Sequence, residues 1–187
     1  MRDRPWLRER TRESRINHLG SILVELTTPR LRLRPLAPAE MRELLEGRPL
    51  PGQTWAEGYP LDGTLVAVAM QQELVDAHVE RGGFCHYQVL LRDQDLVIGD
   101  VGFHAPPDEL GEVSVGFGIV PAARGRGYAT EALRRVLDWA LGRSEVRSVH
   151  ADTDLVNLAS QRVLVSAGMQ VVADEGDRKV YEISRRP

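Results

Sequence analysis

The stretch Val120–Leu133, VPAARGRGYATEAL, sets two glycines and two arginines between an apolar strand and an amphipathic helix. Glycines at such a junction could serve a tight turn, a close-packed backbone or a bound phosphate. On the C-terminal side, over 129–142, Ala129, Ala132, Leu133, Val136, Leu137, Ala140 and Leu141 recur at helical spacing. On the N-terminal side, EVSVGFGIV (112–120) alternates: Val113, Val115, Phe117 and Ile119 share one face, and Glu112, Ser114, Gly116 and Gly118 the other. The first face is core; the second is nearly bare, a surface on which something else can lie. A strand-to-helix junction offers unpaired backbone N–H groups and the positive end of a helix dipole. Arg124 and Arg126 add charged donors, so a phosphate or pyrophosphate suits the loop.

Two phosphate motifs fail on the letters. A Walker A loop ends in Gly-Lys-Ser/Thr, and the one lysine of the chain is Lys179. A G-x-G-x-x-G fingerprint fits Gly125 and Gly127 but finds Thr130 in its third place, and it normally follows the first strand of its unit.

The remaining elements read outward from this junction. RLRLRPL (30–36) is a strand, and APAEMRELLEG (37–47) a short helix. Residues 48–63, rich in Pro and Gly, form a loop, and a helix runs from Thr64 to a glycine stop at Gly82. Strands 86–92 and 96–104 flank the turn 93–95, and 105–111 turns the chain into strand 112–120. RSVHADT (147–153) is a strand, 157–168 a helix capped by Asn157 and stopped by Gly168, and 170–184 a hairpin about 175–177. The order βααβββαβαββ is α+β with a mixed sheet in one domain, 27–187. Residues 1–26 form an arm, flexible or a short surface helix; an arm gripping a partner chain is the alternative.

Composition excludes several classes. The chain has 187 residues, enough for one domain with a sizeable core. With 42% hydrophobic and 27% charged residues and a net charge of −3, it has no nucleic-acid signature. A single cysteine, Cys85, excludes an internal disulfide framework and a four-cysteine zinc site, and reads as a small buried thiol. No apolar run approaches the roughly 18 residues of a membrane span. The arginine-rich start lacks the apolar core of a signal peptide, so a cytoplasmic protein follows by elimination.

RGRGYA (Arg124–Ala129) matches the R/Q-x-x-G-x-G/A signature of the GNAT N-acetyltransferase superfamily. GDVGFHAPP, GEVSVGFGIVP, RGRGYATEALRRVLDWAL and NLASQRVLVSAGM follow in that superfamily's order and spacing, and TTPRLRLRPL looks like the first strand of one branch. Over roughly residues 27–183 the chain resembles the Rim-type acetyltransferases, relatives of the enzymes that acetylate N-termini of ribosomal proteins. The likeness is weakest over 45–80, where an acceptor would be chosen.

The resemblance implies a mixed, mostly antiparallel central sheet with helices on both faces. It implies acetyl-CoA as co-substrate, no metal, and an amine acceptor. Its pyrophosphate falls to Arg124, Gly125, Arg126, Gly127, Tyr128 and Ala129, its pantetheine arm to strand 112–120, and an oxyanion donor to the backbone near Ile119. Asn157 would touch the CoA arm besides capping its helix. Ser160 would protonate or stabilise the leaving thiolate, and the apolar stripe Ala159, Val163, Ala167 leaves it off the core face.

The family's glutamate is missing: Ser114 stands in its place. Glu112, one period-two step and about 7 Å earlier on the same face, is one candidate base. His104 is the other, since an ordinary imidazole needs no tuning. Trp55 and Tyr59 are the aromatics placed to touch an acceptor. That acceptor is a protein α-amino group, a small amine or an aminoglycoside-like antibiotic. Acidic residues in the variable region (Glu43, Glu46, Glu57, Asp62, Glu73 and Asp76) would favour cations. Nucleic acid and membrane are not expected partners; the resemblance leaves a homodimer open, since family members often pair. A non-catalytic acyl-CoA sensor or docking module is the alternative function.

Overall fold

A computed structural model describes residues 14–16 and 22–185. The chain opens with β1 (Ser14–Ile16), β2 (Ile22–Val24), β3 (Leu26–Thr27), β4 (Leu31–Pro35) and α1 (Pro38–Leu45). Then come β5 (Thr54–Trp55), α2 (Asp62–Asp76), β6 (His86–Leu91), β7 (Leu96–Phe103) and β8 (Glu112–Ile119). The last third holds α3 (Tyr128–Leu141), β9 (Ser148–Asp154), α4 (Leu158–Ala167), β10 (Gln170–Asp174) and β11 (Arg178–Ser184). β1 and β2 pair antiparallel, so part of the expected arm is a strand pair; residues 1–13 and 17–21 lie outside the described residues.

The main sheet runs β10-β11-β9-β8-β7-β6-β4-β3, with β5 beside β7. It is mixed and mostly antiparallel: only β8–β9 and β5–β7 run parallel. Two sequence expectations shift. The 48–63 loop contains β5, whose Thr54 and Trp55 pair with Leu96 and Val97. The second helix ends at Asp76 rather than Gly82, because His78 takes the left-handed conformation (φ 58°). His78 N–H then donates to Val75 C=O and Val79 N–H to Leu74 C=O, closing the helix as a Schellman motif without glycine.

Strand alternation sorts the two faces. Phe103 packs on Trp139 of α3, with ring centroids 5.6 Å apart. Asp100, three residues earlier and on the opposite face, accepts from Thr64 of α2. Helices α1 and α2 therefore cover one face, and α3, with α4 packed beside it, the other. Helix α3 buries Ala132, Leu133, Val136, Leu137 and Ala140, the stripe read from the sequence. Among the described residues no helix is long and apolar enough to cross a membrane.

One topological detail positions the site. Parallel strands β8 and β9 pair only at Glu112–Ser148, Val113–Val149 and Ser114–His150. Beyond that, β8 continues to Ile119 against β7, while β9 continues to Asp154 against β11. From Val115 and Ala151 onward the two strands diverge, and a wedge opens in the middle of the sheet.

Candidate active site

The wedge is lined by backbone. Val120 N–H donates to Ile98 C=O and His104 N–H to Ser114 C=O, so the even-numbered residues of β8 bond to β7. Antiparallel alternation then turns the N–H and C=O groups of Val115, Phe117 and Ile119 into the wedge. At its mouth, Ile119 C=O accepts from Arg124 Nε at 2.8 Å, leaving the Ile119 N–H directed into the gap.

After Ile119 the chain makes a single 3₁₀ turn (Pro121–Ala123) and enters the glycine loop. Gly125 and Gly127 have φ of 73° and 77°. Nothing lies within 4 Å of a Cβ placed at Gly125, and at Gly127 only the Arg30 guanidinium does, at 3.5 Å. The glycines are there for left-handed backbone, not for close packing. The backbone N–H groups of Gly125 through Thr130 donate to no group among the described residues, whereas Glu131 N–H already bonds Gly127 C=O. Successive free N–H groups at the start of a helix fit a diphosphate.

This loop is braced from the start of the sheet. Glu131, in the first turn of α3, accepts from Thr28 Oγ1 (2.6 Å), Arg30 N–H (3.0 Å) and Arg30 Nε (2.6 Å). Arg30 Nη1 also donates to Arg126 C=O at 2.9 Å, and its guanidinium lies 4.7 Å above the Tyr128 ring. Of the two loop arginines, Arg124 is drawn back to Ile119 and Arg126 is exposed. Sequence reasoning assigned no role to Thr28, Arg30 or Glu131; their only signal was membership of the motifs TTPRLRLRPL, for the first two, and RGRGYATEALRRVLDWAL, for Glu131.

Across the wedge, α4 presents its own N-terminus. Asn157 Oδ1 accepts from Ser160 N–H at 3.1 Å, the cap expected from the sequence. Of the stripe expected on α4, Val163 and Ala167 pack against the core, but its first residue does not. Leu164 is the buried residue, Ala159 is exposed, and Ser160 lies one turn before Leu164 on the inward side. Ser160 is thus half-buried on the side of Leu164, not off the core face as the stripe suggested.

The two candidate bases part company. Glu112 sits at the paired end of β8, bound to Arg147 at 2.5 Å, with His150 Nε2 3.5 Å away. His104 lies over the open part of the strand: its Nε2 is 2.9 Å from where a Cβ on Gly116 would stand. The bare face of β8 is thus cleared for the chain's own groups, His104 over Gly116 and Leu61 over Gly118. Burial lowers the His104 pKa below the ordinary 6.5; Asp152 across the wedge opposes this and His86 reinforces it. The imidazole is accordingly held neutral with a free lone pair at neutral pH.

Trp55 and Tyr59 meet edge-to-face with centroids 5.3 Å apart, in the loop that covers the α2 side of the sheet. In the same variable region Arg48 pairs with Glu43 and Glu46, which offsets part of its acidity. Cys85 is buried, and burial pushes its thiol up to about 11, so it is no nucleophile. Among the described residues no group of three or more His, Cys, Asp or Glu could hold a metal ion.

Residues 30–170 match the acetyltransferase (GNAT) domain family. The N-acetyltransferase YjdG of Bacillus subtilis, itself uncharacterized, is 29% identical over 150 residues, covering 78% of this chain and 89% of its own. An acetyltransferase structure from Agrobacterium tumefaciens superposes with a TM-score of 0.60 at 25% identity, over 85% of this chain and 93% of that one. A RimL ribosomal-protein N-acetyltransferase, solved in complex with coenzyme A, superposes with a TM-score of 0.61 at 15% identity. That match covers 86% of this chain and 97% of the RimL chain, and shows a shared fold.

Proposed function

We propose that this chain, which belongs to the acetyltransferase (GNAT) family and is an N-acetyltransferase, moves the acetyl group of acetyl-CoA directly to a primary amine. The observation that carries the donor is the run of free N–H groups from Gly125 to Thr130 beside a wedge lined by strand backbone. The residues present fit CoA: a diphosphate-sized ring of donors at a helix start, then an unpaired strand edge for an amide-bearing arm. When bound, acetyl-CoA supplies an activated thioester; the amine nitrogen gains the acetyl carbon and the sulfur leaves as thiolate.

The residues then divide the work. Gly125, Arg126, Gly127, Tyr128 and Ala129 hold the diphosphate, and Asn157 contacts the arm. Ile119 N–H lies where charge on the acetyl oxygen would be stabilised. His104 accepts the amine's proton, in preference to Glu112, whose carboxylate is already engaged by Arg147. Ser160 stabilises the departing thiolate through its hydroxyl or passes it a proton that the serine regains from solvent. The order of the motifs favours a Rim-type acceptor, a protein N-terminus or a small-molecule amine.

The test is CoA release from acetyl-CoA over a panel of primary amines, alongside a CoA titration. Amine-dependent release together with CoA binding supports the reading. Binding with no release above hydrolysis for any amine contradicts the transfer step, and no binding contradicts the donor site.

A further inference from the structure

His104 is the first residue beyond β7, and both polar groups of its backbone are held. Its N–H donates to Ser114 C=O of β8 at 3.0 Å. Its C=O accepts from Gln71 Nε2 of α2 at 3.1 Å. The same Nε2 donates to Phe103 C=O at 2.6 Å, so one side-chain amide grips the carbonyls on either side of the His104 Cα. Past this point the chain leaves the sheet for the turn 105–111.

A buried amide can present either its oxygen or its nitrogen to a given neighbour. At Gln71, which is 0% exposed, Arg81 makes that choice: itself only 4% exposed, it donates from Nη1 to Gln71 Oε1 at 2.8 Å. A guanidinium has donors and no acceptor, so it holds the oxygen and turns the NH2 toward the two carbonyls. Among the described residues no carboxylate forms an ion pair with Arg81. Burial accordingly holds its pKa below the usual value, against a smaller opposing pull from Cys85. A buried cation without a counter-charge costs stability, so packing gives no reason for an arginine here. Orienting Gln71 does.

The residue gripped in this way carries the imidazole that covers Gly116, with Nε2 2.9 Å from the Cβ position there. Asp152 of β9 and His86 of β6 are the titratable groups that act on that ring. Only two side-chain torsions separate the ring from the Cα, so a shift of this backbone moves the lone pair with it. Misplacing a catalytic group by about 1 Å can cost about 100-fold in rate.

We propose that Gln71 and Arg81 are positioning residues of the acetyl transfer: together they fix the backbone on both sides of the His104 Cα and so hold its imidazole over Gly116. This rests on His104 being the base of that reaction.

The experiment measures CoA release with acetyl-CoA and the most active primary amine of the panel. Arg81→Met should lower kcat about tenfold and Gln71→Met about 100-fold, with the KM for acetyl-CoA and the CoA dissociation constant unchanged. Arg81→Lys, which keeps a donor for Oε1, should recover most of the loss. Repeating both substitutions in a His104→Asn background separates positioning from general damage. There neither should lower the residual rate further, because the group they place is gone. In the unliganded protein the His104 ring resonances should move or broaden in both methionine variants. Wild-type kcat in Arg81→Met overturns the inference, as do unmoved His104 resonances or an equal fold loss with and without His104. Should Gln71→Met fail to fold, Arg81→Met, which removes a buried charge, decides alone. A His104→Asn variant with the wild-type rate defeats the base assignment and this inference with it. Wild type without amine-dependent CoA release defeats the transfer reading itself.

Discussion

Arg30 shapes the glycine loop more than either arginine inside it. By holding Arg126 C=O on one side, it turns the Gly127 N–H, antiparallel across the same trans peptide, toward the other side, where a diphosphate would lie. Arg30→Ala should raise the KM for acetyl-CoA about tenfold while leaving turnover of S-acetylpantetheine, which lacks the diphosphate, unchanged; an equal loss with both donors would mean general damage instead. At His104 the depressed pKa means the neutral base survives to lower pH than an ordinary histidine. The acid limb of kcat should therefore lie below pH 6.5, and it should disappear in His104→Asn together with most of the rate. An unchanged limb in that variant would remove the assignment. The glycines were legible in the sequence because a left-handed backbone demands them. The brace was not, since Glu131 and Arg30 are 101 residues apart and only the folded sheet brings them together.

Among the elements, α3 and its entry were readable because the apolar stripe persists for the whole helix. Helix α4 was readable in extent but only partly in orientation: Val163 and Ala167 face the core as expected, Ala159 does not. Its one fully buried residue, Leu164, gives too weak a pattern to fix which side faces inward. Strand β5 is two residues long and has no periodicity to detect within a Pro- and Gly-rich loop. Asn157→Ala should destabilise the protein by about 1 kcal/mol through loss of the α4 cap, read from a denaturant midpoint at constant m-value. Ser160→Ala, whose backbone N–H still reaches that cap, should instead keep the midpoint and lower kcat. A Ser160→Ala variant with the wild-type rate would leave thiolate protonation to solvent.

At the scale of the molecule, function comes from where two strands stop pairing. Period-two patterns tell which side chains share a face, but not that β8 and β9 part after Ser114 and His150. The sequence could therefore name the strand beside the wedge and the loop at its mouth, while the wedge itself appears only in the assembled sheet. That assembly puts the free N–H groups of Gly125–Thr130 and the gap-facing N–H of Ile119 along one path. Backbone amide resonances followed during a CoA titration test this arrangement most directly. The largest shifts should fall on Gly125 through Thr130 and on Ile119, saturating together with one dissociation constant. CoA binding that leaves those amides unmoved, or no binding at all, would contradict it.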